Sequence, residues 1–205
     1  MMRRLMKSQW HDLRIISHAD DYRYSASPDP SIRQGKRLKM YDYVGPKDIA
    51  DAVADVAPGF AVLAPGDLLQ WLADDQQADA NGHVIATFIV DRHGTLRVAD
   101  RCSEHVACAG GGPVQSAGEM TFHVDKQQVR VHAVTNQSTG YCPEPQSWPR
   151  VADAIGKAGM APPAGFHVAY LFRKCVDCDA LNVIKEGVFV CAMCDADLPA
   201  QWNIA

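Results

Sequence analysis

The middle of the chain alternates apolar and polar positions with a period of two, the mark of strands with one buried face. Val84-Ile-Ala-Thr-Phe-Ile-Val90 and Thr95-Leu-Arg-Val98 flank Asp91-Arg-His-Gly94 and predict a β-hairpin turning at the glycine. Val114 to Met120 predicts a strand interrupted at Gly118. Met120-Thr-Phe-His-Val124 and Val129-Arg-Val-His-Ala-Val134, joined by Asp125-Lys-Gln-Gln128, predict a second hairpin. Helical spacing appears on either side. Ile49, Val53 and Val56 share one face after Gly45-Pro46, and Pro58-Gly59 closes that segment. Phe60-Ala-Val-Leu-Ala64 predicts a buried strand. Pro65-Gly66-Asp67 then caps a helix through Leu68, Trp71 and Leu72, followed by a polar loop over 74–82. Val151, Ile155 and Ala158 predict a helix over 149–159 that stops at Gly159. Gly165 to Phe172 predicts a strand leading into the C-terminal segment.

Helices, then successive antiparallel strands, then a helix, specify an α+β fold with an antiparallel β-rich body rather than a doubly wound parallel sheet. Three regions follow: a basic segment over 1–40, an α+β body over 41–172 and a C-terminal module over 173–205. The turn-rich Ser25-Ala-Ser-Pro-Asp-Pro-Ser31 lies within the first.

The C-terminal module carries the clearest chemistry. Cys175-Val-Asp-Cys178 and Cys191-Ala-Met-Cys194 are separated by twelve residues. Two such pairs at that separation predict one tetrahedral Zn2+ bound by four thiolates, one ion per chain. Iron takes the same ligands and is the competing reading. A closed sphere of four thiolates leaves no position for water or substrate, so the predicted role is structural. Leu181 to Val190, with Lys185-Glu186-Gly187 at its turn, predicts the hairpin of a zinc ribbon. Asp179 and Asp195 follow the two pairs, and Asp tolerates left-handed backbone better than most residues.

Charge changes the picture only locally. The net charge of -4 gives no general pull toward nucleic acid or anionic lipid. Residues 1–40 nevertheless hold nine Lys/Arg against four Asp, leaving eleven basic and twenty acidic residues for the rest. Nucleic-acid binding through ribbon and basic arm is disfavoured by that acidic body. The basic start lacks a following apolar run, so no secretory signal is expected, and no stretch is long and apolar enough to span a membrane. Cys102, Cys108 and Cys142 remain beyond the metal set. An odd remainder beside a thiolate metal site points to a reducing, cytoplasmic setting.

Two further stretches gather polar groups. Residues 101–119 place Cys102, Glu104, His105, Cys108 and Glu119 around Gly110-Gly-Gly112, which matches neither a P-loop nor a dinucleotide fingerprint. Residues 135–145 supply Asn136, Gln137, Ser138, Thr139 and Tyr141 on a loop at the end of a strand, a place where ligands are often held. Ordinary turn capping uses the same residue types. A Cys102/His105/Cys108 metal site lacks a fourth ligand. Cys142 as a nucleophile, with His105 or His132 as base, lacks any signal for a lowered pKa.

His105, Ala109-Gly110, Ala117-Gly118 and Ser138-Thr-Gly-Tyr-Cys-Pro143 together resemble the "HSSFLAG…AAG…SGHYxP" pattern of plant IQ-motif-containing calmodulin-binding proteins, and modules of bacterial polymorphic toxins are similar. The resemblance covers residues 84–160. Ser138-Thr139-Gly140 stands where that family has Ser-Gly-His, and no IQ motif is visible. What it implies is a shared β-rich module with His105, Gly118, Gly140 and Tyr141 at corresponding points, without an activity.

The leading expectation is a module that binds a protein partner or small-molecule ligand through loops 101–119 and 135–145, with Glu104, His105, Glu119, Asn136, Gln137, Ser138, Thr139 and Tyr141 as the contact set. The rival is an enzyme of glycosyl or ADP-ribosyl transfer or hydrolysis, with His105 or Glu119 as acid/base and Asn136–Tyr141 orienting substrate.

Overall fold

The structure is a computed structural model that describes residues 38–75, 78–125 and 128–204. Most of the basic N-terminal segment and the Ser25–Ser31 turn lie outside the described residues. The fold is α+β. Five antiparallel strands, β1 (Phe60–Val62), β2 (His83–Asp91), β3 (Leu96–Asp100), β4 (Val114–Asp125) and β5 (Gln128–Val134), form one sheet in the order β1-β3-β2-β4-β5. β6 (Leu171–Lys174) and β7 (Leu181–Ile184) form a separate antiparallel pair. The helices are α1 (Lys47–Ala52), α2 (Pro65–Asp75), α3 (His105–Cys108) and α4 (Trp148–Lys157).

The period-two pattern decides the layering. Val84, Ala86, Phe88 and Val90 of β2, with Leu96 and Val98 of β3 and Met120 and Phe122 of β4, bury one sheet face against Leu68 and Leu72 of α2 and Val151, Ala154 and Ile155 of α4. The intervening positions serve the opposite face. There Ile89 and Ala117 meet Val106 of α3, Tyr41 and Tyr141 in a second core. Farther along that face, around His83, Ile85, Thr121 and His123, no helix among the described residues covers the sheet and the side chains are half-buried.

Local chemistry explains several boundaries. Asp91 Oδ1 accepts the N–H groups of His93 (2.8 Å) and Thr95 (3.0 Å), and Gly94 takes φ +77° to close the β2–β3 turn. Gly159 at φ +75° ends α4, and Met160 N–H returns to Ile155 O at 3.1 Å.

Four expectations change. The first helix stops at Ala52, a turn early: Ile49 and Val53 reach the second core, but Val56 is exposed and has no face to bury. The strand at 60–62 is an edge strand, with Val62 buried and Phe60 and Leu63 open to solvent. β4 is not interrupted at Gly118. A Cβ there would stand 2.0 Å from Thr135 O, so the glycine is the gap through which the chain crosses the sheet after β5. Finally, most of the segment over 165–172 is not a regular strand. A single parallel bridge joins Val168 to Thr135, His167 N–H donates to Val134 O (2.7 Å), and regular pairing begins only at Leu171.

One substitution at two glycines should act with opposite signs. Gly118→Ala should destabilise by about 2 kcal/mol or more, since backbone must move to admit the methyl. Gly156→Ala, in α4 with open space around its Cβ position and helical φ, should stabilise by roughly 0.5–1 kcal/mol. Denaturant midpoints of the two variants check both.

Candidate functional site

The strongest assembly is the cysteine tetrad, built by two copies of one local motif. The chain reads Cys-x-x-Cys-Asp-Ala twice, at 175–180 and 191–196. Cys175 N–H donates to Ala180 O (2.9 Å) and Asp179 N–H to Cys175 O (3.1 Å). Cys191 N–H donates to Ala196 O (2.8 Å) and Asp195 N–H to Cys191 O (3.0 Å). Asp179 and Asp195 sit at φ +61° and +59°, the left-handed turn each knuckle needs to fold back. The Lys185–Gly187 turn closes as expected, with Val188 N–H on Lys185 O at 2.9 Å. The arm after it pairs not back onto β7 but with the second knuckle, through the Val190–Asp197 bridge and Leu198 N–H on Phe189 O.

The four Sγ atoms lie within 4.8 Å of one another, with Cys175–Cys194 and Cys178–Cys191 at 3.6 Å. A regular tetrahedron with metal–sulfur bonds near 2.3 Å has sulfur–sulfur edges of about 3.8 Å, so the tetrad is positioned to hold one metal ion. Second-layer bonds fix it. Met193 N–H donates to Cys191 Sγ at 3.4 Å and holds that thiol down to about 6, despite the opposing cost of burial. Asn182 joins the two knuckles: its Nδ2 reaches Ala180 O (2.9 Å) and Cys191 Sγ (3.5 Å), and its Oδ1 accepts Ala192 N–H (3.0 Å). Asn182 has only a faint sequence signal: a lone amide in an apolar strand pattern, four residues after Cys178.

Backbone carbonyls tie the returning C-terminal segment to β6 and, through Trp202, to the body. Arg173, 7% exposed, donates to Phe172 O (2.7 Å), Pro199 O (2.9 Å) and Ala200 O (2.7 Å). Asn203 exchanges two bonds with the backbone of Lys174. Trp202 Nε1–H donates to Cys142 O (2.9 Å), its ring meets Tyr41 edge-on at 5.6 Å, and Lys39 Nζ lies 3.6 Å above it. Lys39 also pairs with Glu144.

The two polar loops are brought together. Tyr141 O–H donates to Gly112 O at 2.8 Å, and the Gly118 crossing sets Thr135-Asn136 against β4. His105 Nε2 lies 3.0 Å from Gly118 O. A carbonyl only accepts, so this nitrogen carries the proton, and burial holds the ring's pKa down to about 4.

Within that frame the sequence-derived contact set divides. Asn136, fully buried, spends its whole amide on backbone: Nδ2 on Pro143 O (2.7 Å) and Tyr170 O (2.9 Å), Oδ1 on Tyr170 N–H (2.6 Å). Tyr141 is buried edge-on to Tyr43 at 5.6 Å, and burial raises its phenol pKa. Ser138 is buried, its hydroxyl without a partner among the described residues. Glu104 and Thr139 are exposed, and Gln137 and Glu119 half-exposed. Glu119 pairs with Arg101 at 3.4 Å. Burial raises the Tyr170 phenol pKa, with the Glu119 charge adding to it, so that tyrosine joins the same surface. A cavity of about 110 Å³ lies elsewhere, lined by Val62, His93, Leu96, Ala154, Lys157 and their neighbours.

Of the three remaining thiols, Cys102 is exposed and the other two are buried. Cys108 is buried against Gly59 and its thiol is pushed up to about 12. Cys142, at φ +46°, donates to Thr139 O at 3.2 Å and is likewise pushed up to about 12 by burial. Neither is poised as a thiolate at neutral pH.

Two outcomes follow. Metal analysis after exhaustive dialysis should give one tightly held ion per chain, lost in Cys175→Ser or Cys191→Ser with loss of the C-terminal segment's order. His105, with a folded pKa below its unfolded value near 6.5, favours the folded state above that pH; this contribution should be lost progressively as pH falls toward 4. Unfolding curves between pH 7.5 and 4 should therefore be flatter for His105→Gln than for the parent.

No helix among the described residues is long and apolar enough to cross a membrane. No family model, no curated protein and no solved structure matches the chain.

Proposed function

We propose that this is a protein-interaction module whose C-terminal zinc ribbon is a structural brace. Zinc is favoured over iron on ligand spacing, since two Cys-x-x-Cys pairs this far apart are the common pattern of structural zinc ribbons. Thiolate ligation and buried free thiols suit a reducing compartment such as the cytoplasm.

The observation that carries the reading is the bonding of the two loops to each other. Tyr141 O–H to Gly112 O and the Gly118–Thr135 crossing make one rigid support. It presents Arg101, Glu104, Glu119, Gln137 and Thr139 at the surface. Polar groups held on a firm, shallow surface suit a protein partner, because little of the ordering cost of binding remains. None of these residues lines the cavity described above, which lowers the case for an enclosed small molecule. Glycosyl or ADP-ribosyl transfer draws less support still: His105 has one ring nitrogen committed to Gly118 O and the other of low basicity, and Glu119 is paired with Arg101. The resemblance to the plant calmodulin-binding and toxin modules falls on β2 through α4, the same support, and is consistent with a shared binding scaffold.

A photo-crosslinking side chain at Thr139 should give one defined protein adduct in cells, and the paired reversals Glu104→Arg and Glu119→Arg should abolish it. The same probe at Asp153, exposed on α4, should give none. Equal adducts from both positions, or adducts indifferent to the reversals, would refute the assignment.

A further inference from the structure

Three of the eight histidines meet on the uncovered part of the sheet, away from the loops and the ribbon. His83 on β2 stands directly opposite His123 on β4, ring centroids 5.4 Å apart. The register of β4 with β5 slips between Thr121 and Phe122, whose partners are Ala133 and Val131. The extra residue is His132, and the slip brings its ring to 4.5 Å from that of His83.

We propose that His83, His123 and His132 form a second metal site, for Zn2+ or another late first-row divalent ion, open to solvent and independent of the cysteine tetrad. The spacing is the first argument. An imidazole nitrogen bound at 2.0–2.1 Å puts its ring centroid about 3.2 Å from the metal. Two such rings are then about 4.5 Å apart at a 90° ligand angle and about 5.2 Å apart at the tetrahedral angle. The observed 4.5 Å matches the first value and 5.4 Å lies slightly above the second, so the strands hold His83 close to the spacing a shared ion needs from each of its two neighbours. The ring nitrogens of the three do not all lie within 4.8 Å of one another, so binding requires the rings to turn about their side-chain bonds.

The surroundings are the second argument. Asp79 lies 3.8 Å from His83 Nδ1, just beyond hydrogen-bonding distance. Its other oxygen is fixed by the N–H groups of Asn81 (2.8 Å) and His83 (2.9 Å). A carboxylate on Nδ1 leaves Nε2 for the metal and orients the ring, the usual support of a metal-bound histidine. Opposing this, Arg130 Nη2 stands 3.5 Å from His123 Nδ1 and places a positive charge beside the ion. The site is therefore of moderate affinity. Three imidazoles leave at least one coordination position for water or an external ligand, unlike four thiolates.

The test uses untagged full-length protein with its cysteine site already filled by one equivalent of Zn2+. Calorimetric titration with further Zn2+ should show a second equivalent bound. NMR should show the imidazole signals of His83, His123 and His132 shifting together, while those of His93, His105 and His167 stay. His83→Ala, His123→Ala and His132→Ala should each weaken uptake tenfold or more. Asp79→Asn should weaken it by a similar factor through ring orientation. Arg130→Gln should strengthen it several-fold, a gain that a damaged fold does not produce. Absence of a second equivalent, uptake unchanged in the triple histidine variant, or shifts centred on His93 or His167 would overturn the assignment.

Discussion

The point on which this fold turns is the exit of the chain from β5. Thr135 and Asn136 cross β4 at Gly118, so closely that no side chain fits there. Just past the crossing, the Asn136 amide takes over from the backbone. Its Oδ1 and Nδ2 face Tyr170 N–H and C=O as a neighbouring strand would, and the same Nδ2 holds Pro143 O. An amide with three bonds fully buried contributes about 1 kcal/mol net per bond, but its removal leaves buried partners unsatisfied at about 1–3 kcal/mol each. The asymmetry makes Asn136 a fastening for both the 138–143 turn and the start of β6.

From that fastening the rest of the C-terminal half follows. Tyr170 leads into β6, β6 into the first knuckle, and the segment beyond the second knuckle returns over both. Among the described residues the buried Arg173 cation is bonded by three backbone carbonyls rather than a carboxylate, which ties the returning segment to β6. Trp202 ends the return on Cys142 O, one residue from Pro143. The path is a closed circuit: Asn136 to β6, through the tetrad, back through Arg173 and Trp202 to the turn that Asn136 holds. An ion held by the tetrad would close its far end, and the placement of the loop surface at 101–119 and 135–145 depends on its near end.

Much of this was legible in the sequence because the physics is local. Period-two alternation over 84–98 and 120–134 marks strands whatever surrounds them, and two Cys-x-x-Cys pairs define their own geometry. What was not legible depends on residues distant along the chain. Gly118 looks like a strand breaker until Thr135 is placed above it. Asn136 and Tyr141 look like ligand groups, being polar on a loop, but they bond to Tyr170 and Gly112, more than twenty-five residues away. The histidines at 83, 123 and 132 gave no sequence signal, because their meeting needs both the β2–β4 register and the one-residue slip between β4 and β5.

The central claim is that metal and body are coupled through this circuit, and hydrogen exchange with and without a strong chelator tests it most directly. Metal removal should strip protection from the amides of Asp179, Asp195 and Leu198, and from Lys174, Tyr170 and Cys142, while Ile89, Val98 and the central strands keep theirs. Protection at Tyr170 and Cys142 unchanged by chelation would contradict the account, as would a loss spread evenly through β2, β3 and β4.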